Sequence, residues 1–424
     1  MIARGAELRL IAWAFAIAAV GSVAVVGART GTLAPAALAV PASLLAVGLV
    51  LHVVLIAIRS RGDQLLLPIA LALSGIGLVL VDRLAPSLLL QQVTWLVVGA
   101  GAFTAVLLIP RDLSSVARFK YTWALIGLAL LFAPLLPVLG QEVNGARIWI
   151  RLGPVNFEPW EAVKLILVVF FAAYLEEFRE VIAAPRRLGP FPIPPVGYLM
   201  PILAAWAVAM LVLVAGRDLG ATLLFFGIFL AMLWLATGEA AYVLYGLALL
   251  AGGALIAVEA FPHVAARVEI WQRPFDPDLR FGASYQLVQG LFALGNGGVL
   301  GAGLGAGLPE RIPIVWSDFV FDAFAEETGL AGALALLGLV LLFVYRGFSI
   351  ALRAPTPFLQ LLAGGLAFTV ALQTLVIVAG NAALVPLTGI TLPFVAYGGS
   401  SLVTNFALTG LLVRVSDITA RGRR

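Results

Sequence analysis

Twelve runs of apolar residues, long enough to cross a lipid bilayer as helices, constrain this chain more than any other feature. A helix that spans a hydrocarbon core of about 30 Å needs roughly 20 apolar residues. Every backbone polar group in that core must be bonded within its own segment, which favours helices. The sequence therefore predicts an all-α integral membrane protein, a polytopic helical bundle with about 12 transmembrane helices. The runs lie at residues 9–27, 33–58, 65–81, 88–110, 122–139, 162–175, 198–215, 221–238, 241–261, 329–352, 358–380 and 400–416.

The composition agrees with this prediction and excludes several other classes of protein. Apolar residues make up 62% of the 424 positions and charged residues 11%, whereas soluble domains are about half apolar and a quarter charged. The chain has no cysteine, so disulfides and thiolate sites are excluded. It has only two histidines, His52 and His263, which argues against a histidine-built metal site. The basic residues behind the net charge of +4 lie mostly in the loops between the spans, so this charge does not indicate nucleic-acid binding.

The basic residues indicate how the helices are oriented. Lys and Arg accumulate in cytoplasmic loops, and a cytoplasmic N-terminus places most of the 26 basic residues inside. Both termini are then cytoplasmic. Residues 262–328, between spans nine and ten, form a large loop on the outer side.

The outer loop carries most of the polar chemistry. Asp318 opens an apolar run that continues to about Arg346, and one helix over this run would be roughly 43 Å long, longer than the hydrocarbon core. Its first turns must therefore stand above the membrane or line a polar pocket. Asp318, Asp322 and Glu326 recur every four residues and would share one helix face. Acids in a first turn also offset the helix dipole, but that explains Asp318 alone better than acids over three turns.

A second polar position opens the sixth span. Lys164 lies about a turn inside the apolar run, and Glu161 precedes it by three residues. The two side chains are either an interfacial pair with an extended lysine or part of a polar cavity, and the sequence favours neither. Asp218, in the short segment GRDLG between spans seven and eight, is a further acid on the same predicted side.

Two glycine-rich stretches allow structural and functional interpretations. The glycines between Gly295 and Gly307 favour close packing over an anion-binding loop, because glycine is common in membrane helices and no strand–turn–helix unit surrounds them. Residues 284–294, just before them, predict a short re-entrant or interfacial helix. The run YGGSS opens the last span, where Ser400 is equally well a phosphate-binding residue or a helix cap.

A series of motifs follows in order along residues 65–414: NGARIWIRLG, EPWEAVK, DLGATLL, GASYQLVQ, GVLGAGLG, SDFVFDAFAEETGL and PLTGITLPFVAYGGSSL. Together they resemble the SEDS proteins, for shape, elongation, division and sporulation, represented by RodA and FtsW. The resemblance implies a ten-helix core at residues 61–417, with its outer loop at 262–328. Residues 1–60 are then two additional N-terminal helices, and 418–424 a basic cytoplasmic tail.

The resemblance also implies an activity and a partner. SEDS proteins are peptidoglycan glycosyltransferases that polymerise lipid II into glycan strands at the outer face of the bacterial cytoplasmic membrane, beside a class B penicillin-binding protein. Their essential aspartate falls on Asp318. Arg147 is the nearest substitute for a family basic residue that is Ile148 here. The resemblance implies further substrate-binding residues at Lys164, Glu161, Asp218, Arg267, Gln286 and Gln289. Glu326 and Ser400 are expected substrate-binding residues from the sequence pattern described above.

The chemistry of that activity fits the residues. Joining a sugar hydroxyl to the anomeric carbon of a lipid diphosphate sugar needs a base for the hydroxyl proton and cations for the departing diphosphate. Asp318 can act as the base, with inversion of configuration. The cations can come from Lys164, Arg147, Arg151 and Arg267. A divalent cation, Mg²⁺ or Mn²⁺, is a further hypothesis, with ligands Asp318, Asp322 and Glu326.

Two other classes of function stay open: a flippase for lipid-linked precursors, and a non-catalytic scaffold of the cell-wall machinery. A transporter is expected to show internal repeats and ionisable residues near the bilayer midplane, whereas the polar residues here cluster on one side. A scaffold leaves the outer acids unexplained. The expected partners of the glycosyltransferase are lipid II, the growing glycan strand, the penicillin-binding protein and the bilayer, with no nucleic acid.

Overall fold

The computed structural model describes residues 4–32, 35–109, 113–143, 146–153, 155–184, 186–188, 191–193, 195–215 and 218–422. The chain forms two compact units. Unit 1 comprises Met1–Ile109, Glu269–Arg346 and Gln373–Arg424. Unit 2 comprises Pro110–Val268 and Gly347–Leu372. Unit 1 therefore holds the N-terminal helices and nearly all of the long polar segment, residues 262–328.

The helices of the described ranges are numbered in chain order. They are α1 (Gly5–Thr30), α2 (Ala39–Ala57), α3 (Leu66–Leu84), α4 (Leu89–Leu108), α5 (Leu113–Arg118), α6 (Lys120–Phe132), α7 (Pro159–Ile182), α8 (Val196–Ala215), α9 (Leu219–Thr237), α10 (Ala240–Ala260), α11 (Pro262–Gln272), α12 (Tyr285–Gly297), α13 (Val320–Ala351), α14 (Pro357–Asn381) and α15 (Gly399–Gly422).

Each of the twelve predicted spans overlaps one of these helices, although α6 ends at Phe132, before the end of the predicted span 122–139. In the part of the chain that the structure describes, nine are long and apolar enough to cross a membrane: α1, α2, α3, α4, α9, α10, α13, α14 and α15. The other three spans correspond to α6, α7 and α8. The helical membrane fold is therefore confirmed. Residues 284–294 are helical as α12, and α15 continues to Gly422, into the stretch expected as a basic tail.

Two small antiparallel sheets were not predicted. The first contains β1 (Gly140–Val143), β2 (Ala146–Leu152) and β3 (Val155–Phe157) in that order, and the second pairs β4 (Arg186–Leu188) with β5 (Phe191–Ile193). Strand β2 reads ARIWIRL, and its Ile and Trp residues are of types enriched in strands. Both sheets lie in connections between predicted spans, so the helical core is unchanged.

The long helix predicted from Asp318 to Arg346 is wrong in one respect. Helix α13 begins at Val320 and is interrupted at Gly329, whose φ of 69° and ψ of −173° are not helical. The part after the interruption, residues 330–351, would be about 33 Å long as a helix, close to the hydrocarbon thickness. The interruption thus separates a short segment, residues 320–328, from the part of α13 that is long enough to span the membrane.

The glycine-rich stretch packs against this interruption by its backbone. A continuous helix would bond the amides of Leu330 and Ala331 to the carbonyls of Glu326 and Glu327. Instead those amides donate to Gly298 (2.9 Å) and Val299 (3.1 Å), and the two carbonyls accept from Ala302 (2.9 Å) and Gly303 (3.0 Å). We call this pairing of residues 298–303 with 326–331 the glycine junction. The predicted close packing is confirmed for Gly297 and Gly301, where a Cβ atom would overlap the backbone of Ala325 and Glu327, but not for Gly295 and Gly298, where it would meet nothing within 4 Å.

Candidate functional site

Asp318 lies two residues before α13 and is partly buried. The side-chain amide of Asn381 donates to the backbone carbonyl of Asp318 (3.0 Å) and also to the Asp322 carboxylate. Asp322 has no exposed surface. Asn381, at the end of α14, therefore fixes the backbone that carries Asp318 and compensates a buried acid one turn away.

An apolar cluster under the polar segment holds Asp318 in place. Phe319 is fully buried, and Val315 and Ile312 are each 2% exposed; they pack with Leu287 of α12. Burying one such side chain contributes about 1.5–3 kcal/mol. Gln286 adds a hydrogen bond to this cluster, because its side-chain nitrogen donates to the carbonyl of Pro313 at 2.7 Å.

The segment before α15 joins the same region. The amide of Tyr397 donates to the carbonyl of Trp316, two residues before Asp318, at 2.9 Å. Ser400, three residues further on, is 5% exposed at the start of α15. Burial raises the pKa of the Tyr397 phenol, so it stays neutral. Unit 1 therefore brings the Ser400 segment to the chain that carries Asp318.

The three acids of the predicted helix face have separate surroundings. Asp322 is bonded to Asn381, whereas Glu326 lines a cavity of about 220 Å³ between α12 and α13. No group of three acidic or histidine side chains in the described ranges is placed to hold a metal ion. The divalent cation stays a prediction, and no step below depends on it.

The cavity, which we call the α12–α13 cavity, has a polar lining. Gln289 and Asn296 of α12, Arg311 and Glu326 supply its polar groups, and Phe292 is among its apolar walls. Glu326 is 4% exposed, and its Oε2 atom has no hydrogen-bond partner among the described residues. The cavity thus contains an acceptor that a ligand could satisfy.

Unit 2 contains a second polar cluster. Lys164 and Glu161 on α7 have no exposed surface, and their charged atoms are 2.5 Å apart. The Lys164 ammonium also lies 5.6 Å from the centre of the Trp160 ring, within the range of a cation–π contact. The interfacial alternative, with an extended lysine, is therefore wrong: the pair is buried.

Asp218 belongs to the same cluster and has a structural role. Its side chain accepts from the amide of Ala221 at 2.9 Å, which caps the amino end of α9. Burial is the main cause that raises the pKa of Asp218, to about 6. The negative charge of Glu161 also raises this pKa, whereas the hydrogen bond from Ala221 and the positive charge of Arg267 lower it. Asp218, Arg267 and Glu161 are thus close enough to interact electrostatically.

The remaining predicted cations lie on β2. Arg151 is exposed, whereas the side chain of Arg147 lies outside the described residues. The sequence did not point to Asn381, Asn296 or Arg311. The polar amide that ends the apolar run of α14 was the available signal for Asn381; the two cavity residues carry no comparable signal.

These features identify the class of protein. The chain is a polytopic helical membrane protein whose polar groups lie at an interrupted helix and at a buried ion pair. The sequence model of the FtsW/RodA/SpoVE family, described as cell cycle protein, matches residues 82–421, and the chain belongs to this family. The predicted SEDS membership is confirmed.

Individual proteins that are similar to this chain support the same family assignment. The chain is 41% identical over 376 residues to the peptidoglycan glycosyltransferase RodA of Mycobacterium tuberculosis, covering 85% of this chain and 79% of that protein. It is 33% identical to the probable peptidoglycan glycosyltransferase FtsW of Thiomicrospira cyclica, covering 83% and 91%. A chain from a structure of a peptidoglycan synthase complex that coordinates polymerization and crosslinking matches with a TM-score of 0.70, 28% identity and coverage of 86% and 98%. RodA of Thermus thermophilus matches with a TM-score of 0.60, 29% identity and coverage of 84% and 97%.

Proposed function

We propose that this chain is a peptidoglycan glycosyltransferase that polymerises lipid II into glycan strands at the outer face of the bacterial cytoplasmic membrane. Its family membership and the names of its relatives support this activity. The observation that carries the assignment of the site is the partly exposed Asp318, held on fixed backbone by Asn381 directly before the interrupted helix.

Asp318 is the general base in this proposal. The acceptor hydroxyl attacks the anomeric carbon of the donor sugar, the bond from that carbon to the diphosphate oxygen breaks, and the hydroxyl proton passes to the Asp318 carboxylate. Attack opposite the departing diphosphate inverts the configuration. A base at the correct position contributes about 10² to 10⁴ in rate, so loss of Asp318 should nearly abolish polymerisation.

The departing diphosphate needs positive charge. In unit 2, Arg151 is exposed and Arg267 is partly buried, so both are candidates to contact an anion directly. Lys164 is fully buried against Glu161, and breaking such a pair is costly. Within unit 2 we assign Lys164 and Glu161 a positioning role, and Arg151 and Arg267 stay the cations that the sequence predicts for the diphosphate.

The experiment is glycan synthesis from purified lipid II by the full chain with a cognate class B penicillin-binding protein, whose transpeptidase is blocked. Asp318→Asn preserves the shape of the side chain and removes the base. Asp278→Asn is the matched control, because Asp278 is an exposed aspartate of the same polar segment. Polymer should disappear only with Asp318→Asn. Normal polymerisation by that variant would refute the base, and no polymer from a folded, partner-bound wild type would favour the flippase or the scaffold.

The partner and the orientation belong to the same proposal. A related chain occurs in a peptidoglycan synthase complex that joins polymerization to crosslinking, which supports a transpeptidase partner here. Cytoplasmic termini and an outward site follow from the basic residues. Labelling of single cysteines, introduced into this cysteine-free chain at residues 278 and 421 of intact cells, would test the orientation: an impermeant reagent should label only the first.

A further inference from the structure

The α12–α13 cavity holds a buried carboxylate oxygen that lacks a donor. Glu326 is 4% exposed and lines the cavity, and its Oε2 atom has no partner among the described residues. Leaving a buried charged acceptor unsatisfied is costly. The cavity volume of about 220 Å³ equals roughly seven waters of the bulk liquid, enough for a small polar group that donates a hydrogen bond to Glu326.

The lining of the cavity indicates the class of ligand. Glu326 and Arg311 contribute opposite charges, so the cavity as a whole does not favour an anion or a cation. Gln289 and Asn296 carry amides that both donate and accept, which matches hydroxyl and acetamido groups. Phe292 is 51% exposed and offers an aromatic face beside them. A divalent cation would need several oxygen ligands, and Glu326 is the one carboxylate among the lining residues.

The position of the cavity relates it to the reaction. Glu326 lies six residues after Val320, about 9 Å along the helix axis, and Asp318 stands two residues before Val320 at the same end. Glu326 therefore lies in the short segment of α13 before Gly329, and Asp318 directly precedes that segment. A saccharide that reaches Asp318 could extend towards Glu326 along this segment.

We propose that the α12–α13 cavity is a subsite for an N-acetylhexosamine unit of the glycan or of lipid II. Glu326 accepts from a hydroxyl or amide of the sugar, and Arg311, Gln289 and Asn296 bond its oxygens. The subsite fixes the saccharide while Asp318 acts on the reacting hydroxyl. This inference rests on the proposed function, and it names which part of the chain recognises sugar.

The first test compares kinetics of the full chain with its transpeptidase partner. Glu326→Gln removes the charge without changing the size of the side chain, and Asn296→Ala removes an exposed amide, so that folding is not at stake. The matched control is Glu269→Gln, an exposed glutamate of α11. Both cavity variants should raise the KM for lipid II, Glu326→Gln about tenfold, with kcat little changed, and should shorten the glycan strands. An unchanged KM in both would overturn the subsite.

The second test measures binding without turnover. The probe is the soluble N-acetylglucosamine–N-acetylmuramic acid disaccharide, observed by saturation-transfer NMR on the chain in nanodiscs. Wild type and Glu269→Gln should bind it, and Glu326→Gln should lose it. If wild type fails to polymerise lipid II yet binds the disaccharide through Glu326, the catalytic proposal fails and the subsite stands. If EDTA alone reproduces the KM of Glu326→Gln in wild type, a cation occupies the cavity and the subsite is overturned.

Discussion

Gly329→Ala should separate the glycine junction. Gly329 has a φ of 69° and a ψ of −173°, a combination found almost only in glycine, which costs other residues about 1–3 kcal/mol. A Cβ atom at this position would also overlap the amide nitrogen of Gly301 and the carbonyl oxygen of Val299. Residues 298–303 must therefore move away from α13.

The size of the effect follows from the bonds of the junction. Leu330, Ala331, Ala302 and Gly303 donate its backbone hydrogen bonds, each worth about 1 kcal/mol. Losing two of them in addition to the conformational cost gives about 3–5 kcal/mol. At roughly 2 °C per kcal/mol for a protein of this size, the Tm should fall by about 6–10 °C.

The assay is thermal unfolding in nanodiscs together with hydrogen exchange and lipid II polymerisation. Gly338→Ala is the control, because Gly338 lies in the same helix and a Cβ there meets nothing within 4 Å; alanine favours a helix by up to about 1 kcal/mol. Gly329→Ala should show faster exchange at Ala302 and Gly303 and lose most activity, since the Asp318 segment is displaced. Equal Tm and equal exchange in the two variants would refute the role of the junction.

Two further predictions concern buried charges. Arg83→Ala removes the guanidinium that lies 3.0 Å from the carboxylate of Glu327, a residue that is 2% exposed. This change should lower the free energy of unfolding by about 3 kcal/mol. Arg29→Ala breaks a 3.5 Å ion pair with Asp82 in which the arginine is 46% exposed, and it should lower that free energy by less than about 1 kcal/mol. Burial raises the pKa of Asp218 from 3.8 to about 6, so its contribution to stability is present below pH 3.8 and is lost as the pH rises through 6. Asp218→Asn should therefore unfold at a higher temperature than wild type at pH 7, and this advantage should disappear near pH 4. Melting curves between pH 4 and pH 7 measure the size and the sign of the Tm difference between the variant and wild type. A Tm difference that does not depend on pH would contradict the raised pKa of Asp218.

The sequence predicted the spans because the evidence for them is local. An apolar run long enough to cross the bilayer has few alternatives to a helix, and all twelve predicted runs are helices. Asp318 and Glu326 could also be selected locally, as ionisable groups beside an apolar run. What the sequence could not show is that Asp322 and Glu326 have different surroundings. Asn381, which donates to Asp322, and the α12 residues that line the cavity at Glu326 come from other segments.

The interruption of α13 shows the same limit more clearly. A single glycine inside an apolar helical pattern is tolerated in many helices, so Gly329 alone does not predict a break. The break is stable because residues 298–303, about thirty positions earlier, satisfy the backbone groups that it exposes. Lys164 is a parallel case: its depth in the run of α7 was visible, but its complete burial against Glu161 depends on tertiary packing.

Helices α1 and α2 are part of the same structural unit as Asp318. The family match begins at residue 82, near the end of α3, yet residues of the N-terminal region contact the chain close to both ends of α13. At one end, Ala28 packs against Gly305, whose amide donates to Glu327 at 2.9 Å. At the other, Arg4 donates to the carbonyls of Ser60 (3.1 Å) and Gly62 (3.3 Å), next to Asp63, which accepts from Arg346 at 2.9 Å. Because Ala28 contacts the loop at the junction and Arg4 contacts the segment that binds Arg346, we expect the N-terminal region to stabilise α13, the helix that follows Asp318.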